Sequence, residues 1–175
     1  MSAGGHAILV LNAGSSSIKF STFRRSGGLL SRELHGQVSG LGTAPRLAAR
    51  RGTDRVVDRE ITHEPMSHAD ALATLLDFLL GELHGARIIG VGHRVVHGGL
   101  EFMAPTRVDA ETLRRLERYI PLAPLHQPHN LAAIRLMLEQ LPGVPEIACF
   151  DTAFHRTIPE VAQLFALPPQ FAEAG

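Results

Sequence analysis

The chain has 175 residues, 45% of them hydrophobic and 19% charged, and its formal net charge is zero. This length fits one domain, or one domain and part of another, and the composition is that of a globular protein with an apolar core. The balanced charge argues against a general nucleic-acid binder and against a polybasic membrane-surface protein. Because the sequence has no signal-peptide pattern, no membrane-length apolar run and one cysteine, Cys149, we expect a cytoplasmic protein without a disulfide framework.

The first predicted element is a strand, a tight turn and a second strand. Four apolar residues, Ile8 to Leu11, lead into the small and polar residues Asn12 to Ser17, after which apolar and polar side chains alternate. Small residues let a backbone approach a ligand closely, and the free N–H groups of a turn form an anion-binding nest. Lys19, the only lysine of the chain, adds a compact positive charge. The turn is therefore either a phosphate cradle or an ordinary serine-rich hairpin.

The same stretch also matches a different catalytic pattern. Ser16 and Lys19 have the Ser-x-x-Lys spacing of penicillin-recognising acyl enzymes, whose chemistry places both residues one turn apart on a helix. The alternation of Ile18, Phe20 and Thr22 predicts a strand instead. We therefore favour the phosphate interpretation over the serine acyl enzyme.

The rest of the first half is predicted to be β-rich and then helical. Residues 29–38 form a third strand, and residues 46–51 and 55–61 form a hairpin whose interspersed basic and acidic residues indicate a solvated face rather than a nucleic-acid patch. Ser67 is a predicted N-cap with Asp70 three residues later, as in a capping box, and leucines at helical spacing follow.

The second half is predicted to alternate strands and helices, which indicates a mixed sheet covered by helices. The predicted elements are a strand that starts at residue 86, a charged helix over 109–119, a proline-rich loop over 121–130, a helix to about residue 140, and a strand over 146–150. In such sheets, ligand-binding side chains lie at the ends of the strands.

Arg94 and Asp151 are charged residues at two of these strand ends. A guanidinium at a dry site needs an anionic partner, either a carboxylate on a neighbouring strand or a bound carboxylate or phosphate. Asp151 is either an N-cap or a metal ligand, base or substrate-positioning group. Together with the phosphate-type turn and a histidine, this set indicates phosphoryl transfer, which depends on positioning and charge neutralisation.

Two histidine pairs have spacings that bind zinc on a helix: His93 with His97, and His126 with His129. Because both pairs lie in strand-end or proline-rich contexts, we interpret them as structural or substrate-facing. Nothing marks Cys149 as an activated thiol, so we expect it to be a buried strand residue.

Four motifs together resemble the acetate kinase family and its propionate and butyrate kinase relatives: residues 11–19 (LNAGSSSIK), 91–99 (VGHRVVHGG), 121–126 (PLAPLH) and 150–155 (FDTAFH). The resemblance implies a ribonuclease H-like fold, of the superfamily that includes actin and the sugar kinases. It also implies phosphoryl transfer from ATP to acetate, giving ADP and acetyl phosphate, with Mg²⁺ as the cofactor, in a cytoplasmic homodimer.

Carried over by position, the resemblance implies a phosphate side of the site. Asn12 would lie at the Mg²⁺ and phosphoryl site, with Ser15 and Ser17 beside it. Lys19 would approach the ATP phosphates, and His126 would donate to the phosphoryl oxygens.

The resemblance also implies a carboxylate side. Arg94 would hold the acetate carboxylate, and Val96 and Leu125 would form the apolar pocket for the methyl group. Asp151 is similar to the family's catalytic acid. Because acetate is already ionised at neutral pH, we expect Asp151 to position Arg94 or the metal rather than to act as a base.

The sequence departs from the family pattern at two positions and in length. Gln127 and His129 stand where the family more often has Asn and Pro, a minor difference in the predicted loop. We expect residues 1–150 to form a first ribonuclease H-like domain without its C-terminal return helix, and residues 151–175 to begin a truncated second domain. We therefore expect the 175-residue chain to be inactive as an enzyme on its own. The alternative to a kinase is a non-catalytic module that binds carboxylates or forms dimers.

Overall fold

The computed structural model describes residues 5–26, 28–62, 65–163, 166–168 and 170–171. Within these residues one mixed sheet of eight strands has the spatial order β5-β4-β3-β2-β1-β6-β8-β7. The strands are β1 (His6–Ala13), β2 (Ser17–Ser26), β3 (Leu29–Ser39), β4 (Arg46–Arg51), β5 (Asp54–Glu60), β6 (Arg87–Val95), β7 (Thr106–Val108) and β8 (Glu146–Phe150). The helices are α1 (His68–Glu82), α2 (Ala110–Glu117), α3 (Gln127–Gln140) and α4 (Glu160–Gln163), with 3-10 helices at Ile120–Leu122 and Asp151–Thr157. The predicted mixed sheet flanked by helices is confirmed.

The first five strands form an antiparallel meander, and the remaining connections make the sheet mixed. β1 and β2 pair from Ala7 opposite Arg24 to Ala13 opposite Ile18, so the segment between them is a tight hairpin turn. β6 is parallel to both β1 and β8, which brings the carboxyl ends of these three strands to one edge of the sheet. Because Lys19 lies in a strand, the helix that Ser-x-x-Lys acyl chemistry requires is absent from this stretch, and that alternative is wrong.

The helices begin where the capping signals predict. The Asp70 N–H donates to the Ser67 hydroxyl at 3.1 Å and the Ser67 N–H donates to the Asp70 carboxylate at 3.0 Å, which completes the capping box of α1. Asp109 caps α2 by accepting from the Thr112 N–H at 2.8 Å, and this hydrogen bond lowers the pKa of the Asp109 carboxyl. Of the helices in the described ranges, none combines the length and apolar character needed to cross a membrane.

The core lies between one face of the sheet and the helices α1, α2 and α3. Alternate residues of β1 are buried in it together with the leucines of α1: Ala7, Leu9, Leu11 and Ala13 with Leu72, Leu75 and Leu79. Because side chains alternate along a strand, the intervening residues Ile8, Val10 and Asn12 lie on the opposite face, where Val10 is 37% exposed. This opposite face of the sheet carries the polar residues of the candidate site.

Three features of the fold differ from the prediction. Cys149 is exposed rather than buried, because in β8 its neighbours Ala148 and Phe150 face the helices. The proline-rich segment does not remain a loop to residue 130, since α3 begins at Gln127 with a proline in its first turn, where no N–H partner is lost. Strand β7 was not predicted, because three residues are too few to show an alternating pattern.

Strands β4 and β5 carry the predicted mixed-charge face. Arg46 and Arg55 both pair with Asp58, at 2.6 and 3.3 Å. A shallow groove of about 420 Å³ crosses the same part of the sheet and is lined by residues that include Lys19, Arg32 and Arg50. The groove does not include the strand ends of β6 and β8, and Lys19 is the one predicted site residue that lines it.

Candidate functional site

Three polar side chains meet at the edge where β1, β6 and β8 end. Asn12 and Arg94 are each the penultimate residue of their strand, and Asp151 directly follows β8. All three lie on the sheet face opposite α1 and α3, because the strand residue beside each of them is buried in the core: Leu11, Val95 and Phe150. Parallel strand direction and alternation of side chains therefore suffice to bring them together.

Arg94 joins the other two residues. Its Nε donates to Oδ1 of Asp151 at 3.0 Å, and its Nη2 donates to Oδ2 of the same carboxylate. Its Nη1 donates to Oδ1 of Asn12 at 3.1 Å. The bidentate pair fixes the plane of the guanidinium. Since a guanidinium carries five N–H donors, one N–H on each terminal nitrogen remains for an anion.

The Arg94–Asp151 pair identifies the anionic partner that the sequence left open: it is a carboxylate at the end of the neighbouring strand. The site is not dry, however, since the two side chains are 47% and 43% exposed. The expectation of a dry guanidinium is wrong because this end of the sheet is covered by helices on the other face. Among the described contacts Asp151 does not act as an N-cap either, since both oxygens of its carboxylate accept from Arg94.

The predicted phosphate turn is closed by the Gly14 N–H, which donates to the Ser17 carbonyl at 2.8 Å. Lys19 lies opposite Asn12 in the β1–β2 register and is exposed, as is Ser15, whereas Ser17 is half-buried. Within the described ranges, neither the Lys19 ammonium nor the Ser15 N–H has a hydrogen-bond partner. Both groups are therefore free to meet an anion beside Asn12.

Side chains from two helices hold the other side of this turn. The Ala13 carbonyl accepts from Nδ2 of Asn130 in α3 at 2.6 Å, and the Gly14 carbonyl accepts from Nε2 of His68 in α1 at 2.8 Å. The sequence offered no signal for either contact, because they join residues 117 and 54 positions apart.

The segment after β6 is held by α3. The Val96 N–H donates to Oδ1 of Asn130 at 3.0 Å, and the His97 backbone makes hydrogen bonds in both directions with the Gln127 amide. Asn130 and Gln127 are buried, although the sequence placed them in a loop. No sequence signal marked these two amides, because the prolines of the segment concealed the start of α3.

The remaining predicted residues lie close in sequence to these contacts but outside the Arg94 hydrogen-bond network. Val96 follows β6 and is half-buried, Leu125 is 74% exposed, and His126 is the exposed N-cap residue of α3. No hydrogen bond connects the His126 side chain to Arg94, Asn12 or Asp151 in the part of the chain that the structure describes. Of the nine predicted site residues, the structure thus connects three by direct hydrogen bonds: Asn12, Arg94 and Asp151.

We interpreted the first histidine pair as structural or substrate-facing, and both residues make contacts within the protein. His93 is buried, and its Nε2 pairs with the buried carboxylate of Glu146 on β8. The His97 Nδ1 accepts from the Gly99 N–H at 2.9 Å. Among the described residues no cluster of three His, Cys, Asp or Glu side chains could hold a metal ion.

The second histidine pair belongs to a different cluster. His129 stacks on His68, with ring centroids 4.2 Å apart and planes 19° from parallel. Burial lowers the pKa of His129, and the neighbouring His68 and His126 lower it further. The cluster of His68, His126 and His129 therefore adjoins the phosphate-type turn through the His68–Gly14 contact.

Comparison with known sequences gives one family. The Acetokinase family matches residues 7–175. The chain is 46% identical over 172 residues to the acetate kinase of Nitrobacter hamburgensis, a match that covers 97% of this chain and 42% of that protein. It is 42% identical over 173 residues to the acetate kinase of Thermotoga maritima, with 95% of this chain and 41% of that protein covered. The chain therefore spans less than half the length of these curated relatives.

Solved structures give the same result at the level of the fold. A propionate kinase from Francisella tularensis superposes with a TM-score of 0.83 at 32% identity, over 97% of this chain and 43% of that one. An acetate kinase from Porphyromonas gingivalis superposes with a TM-score of 0.79, also at 32% identity, over 97% of this chain and 43% of that one.

Proposed function

Since this chain belongs to the acetokinase family, we propose that it forms the carboxylate- and phosphate-binding face of an enzyme that transfers a phosphoryl group between ATP and acetate. The observation that carries the proposal is the position of Arg94, held by Asp151 and Asn12 beside the phosphate-type turn. The reaction joins two anions, so it needs a fixed cation between them more than a covalent catalyst.

On the carboxylate side, the two remaining N–H groups of Arg94 would bind the acetate oxygens and then the transferring phosphoryl oxygens. Asp151 would act through Arg94. Its carboxylate fixes the guanidinium from the side that faces away from the ligand, and ionised acetate has no proton for a base to remove. Val96 and Leu125 would contact the methyl group.

On the phosphate side, Lys19, the N–H and hydroxyl of Ser15, and the hydroxyl of Ser17 would bind phosphate oxygens. His126 would donate to the phosphoryl group from the N-terminus of α3, where the orientation of the helix favours an anion. The ligand pair itself, ATP and acetate giving ADP and acetyl phosphate, is part of this proposal.

The residues present could supply Mg²⁺ with few protein ligands. This ion prefers oxygen ligands and takes most of them from waters and substrate phosphates, with only one or two from side chains. Asn12 Oδ1 accepts one hydrogen bond from Arg94 and keeps one lone pair, and its amide binds the guanidinium at a single atom, whereas the Asp151 carboxylate is engaged by Arg94 through both oxygens. We therefore propose Asn12 as the protein ligand. When bound, the ion would neutralise phosphate charge.

The proposal also includes a division of the chain into domains. Because β8 is the last strand of the sheet in chain order and ends at Phe150, we propose residues 1–150 as one domain and residues 151–175 as the start of another. Positions 164, 165, 169 and 172–175 of the second segment lie outside the described residues.

We also propose that the active protein is a homodimer.

The test is a chimaera in which this chain replaces the matched region of the Nitrobacter acetate kinase. The chimaera is expected to convert acetate, ATP and Mg²⁺ to acetyl phosphate, which is trapped as the hydroxamate. Arg94→Gln should lower turnover about 100-fold, while Arg118→Gln, at an exposed arginine after α2, should leave it unchanged. A folded chimaera without turnover would contradict the kinase proposal and favour a non-catalytic carboxylate-binding module.

Propionate is a second candidate acceptor. The chain is as similar in sequence to a solved propionate kinase as to a solved acetate kinase, at 32% identity each. Leu125 is 74% exposed, so its side chain leaves space beside the proposed methyl contact for a longer acyl chain. The ratio of kcat/KM for acetate and propionate in the same chimaera decides between the two acceptors.

A further inference from the structure

The phosphate-type turn has one side that faces two helices and one side that faces solvent. On the helix side, the carbonyls of Ala13 and Gly14 accept from Asn130 and His68. A carbonyl oxygen can only accept, so the Nε2 of His68 carries the proton in this contact. Two consecutive peptide units of the turn are therefore fixed by side chains from different helices.

Fixing these carbonyls determines where the turn's N–H groups point. In a planar trans peptide, the C=O and the following N–H point in opposite directions. Holding the Gly14 carbonyl toward α1 therefore directs the Ser15 N–H away from α1. That N–H has no partner within the described ranges, whereas the Gly14 N–H is used to close the turn.

The His68 ring is itself held in one orientation. It stacks on His129, with centroids 4.2 Å apart, and His129 belongs to α3, the helix that also supplies Asn130. The stack limits rotation of the His68 ring about its Cβ–Cγ bond, which keeps Nε2 directed at the Gly14 carbonyl. The turn, α1 and α3 thus form one connected unit.

We propose that His68 is a positioning residue of the phosphate turn: by donating to the Gly14 carbonyl, it aims the Ser15 N–H at a bound phosphate oxygen. Asn130 supports the preceding peptide in the same way and also holds the Val96 N–H, so one buried amide connects the phosphate side of the site with the carboxylate side. This inference rests on the proposed phosphate role of the turn. It adds two residues to which the sequence motifs assign no role.

The experiment is a titration of the ¹⁵N-labelled 175-residue chain with pyrophosphate, followed at the Ser15 amide by NMR. The wild-type Ser15 resonance should shift and give a saturable binding curve. His68→Phe keeps a ring for stacking but removes the donor, and it should weaken pyrophosphate binding about fivefold. His68→Gln places an amide donor near the position of Nε2 and should restore binding to within about twofold of the wild type.

His6→Phe, at an exposed histidine of β1, is the matched control and should bind as the wild type does. Equal affinity of the wild type and His68→Phe would overturn the positioning role alone. Failure of His68→Gln to restore binding would also overturn it, as would loss of the folded amide spectrum in His68→Phe, because the residue would then be structural. A wild-type chain in which pyrophosphate shifts no resonance of the turn would contradict the phosphate site itself.

Discussion

The side-chain amide of Gln127 pairs with both backbone polar groups of His97. The His97 N–H donates to Oε1 at 3.3 Å, and Nε2 donates to the His97 carbonyl at 2.9 Å. Gln127 is 0% exposed and is the first residue of α3, so the amide continues the hydrogen bonding of β6 beyond the end of its ladder. Strand β6 and helix α3 are joined in this way directly beside Val96.

Gln127→Leu should lower the free energy of unfolding by about 2–3 kcal/mol, because it leaves both polar groups of His97 without partners in a half-buried position. Urea denaturation followed by circular dichroism measures the change. The matched control is Gln140→Leu at the exposed end of the same helix, where the expected effect is within about 0.5 kcal/mol. Equal effects at the two positions would show that the Gln127–His97 pairing adds no stability.

Asp151→Asn should lower turnover of the chimaera about 10- to 100-fold while changing the free energy of unfolding by less than about 1 kcal/mol. The amide can accept from one guanidinium N–H only and brings no charge, so Arg94 loses its fixed plane. Because both side chains are nearly half exposed, the pair adds little to stability. Hydroxamate trapping measures turnover, and urea denaturation measures the free energy of unfolding. Near-normal turnover of Asp151→Asn would contradict the positioning role of Asp151.

The imidazole of His129 should titrate below pH 6.5 in the folded chain. Burial is the main cause of the lowered pKa, followed by the charges of His68 and His126. An NMR titration of the ring protons measures the midpoint. His68→Phe removes one of the two neighbouring charges, so the midpoint should rise toward its ordinary value. A wild-type midpoint at or above 6.5 contradicts the prediction.

The same shift predicts how stability depends on pH. Between the lowered folded pKa and 6.5, the unfolded chain binds more protons at His129 than the folded chain does. The contribution of His129 to stability is therefore fully present above pH 6.5 and is lost as the pH falls through that window. Urea midpoints at pH 7.5 and 5.5 test this, and His129→Phe should reduce the difference between them.

His93 and Glu146 should be energetically coupled. Both side chains are buried, His93 Nε2 pairs with Oε2 of Glu146 across β6 and β8, and Oε1 of Glu146 has no hydrogen-bond partner among the described residues. Glu146→Ala leaves the imidazole without an acceptor and should cost about 3–5 kcal/mol. In a double-mutant cycle with His93→Ala, the coupling energy should exceed about 1 kcal/mol. If the effects of the two single substitutions on the free energy of unfolding simply add, the His93–Glu146 contact contributes no coupling energy.

Much of the fold could be predicted because its signals are local. The capping box at Ser67 and Asp70, the alternation in β1 and β2, and the apolar run of β8 each lie within one element and need no knowledge of the others. The misjudged positions depended on neighbours instead. Cys149 lies in an apolar run that reads as a fully buried strand, yet only the face of β8 that carries Ala148 and Phe150 is covered by helices.

The same distinction between local signals and contacts with distant residues applies to the candidate site. Asn12, Arg94 and Asp151 could be predicted because each lies at the carboxyl end of a largely apolar strand, and parallel strands bring such positions to one edge. That Asp151 is the partner of Arg94 depended on the order of β6 and β8 in the sheet. Gln127 and Asn130 could not be assigned to the site, because the prolines of their segment masked the start of α3.

The family, the strand–turn–strand that holds Lys19 and the residues able to bind anions could therefore be inferred from residue type and short-range pattern. The folded chain was needed to show that Arg94 is half exposed and held by Asp151, and that His68 and Asn130 donate to the carbonyls of the turn. Such contacts join residues 54 to 117 positions apart in the chain. They arise from strand order and helix packing, which no local pattern of residues records.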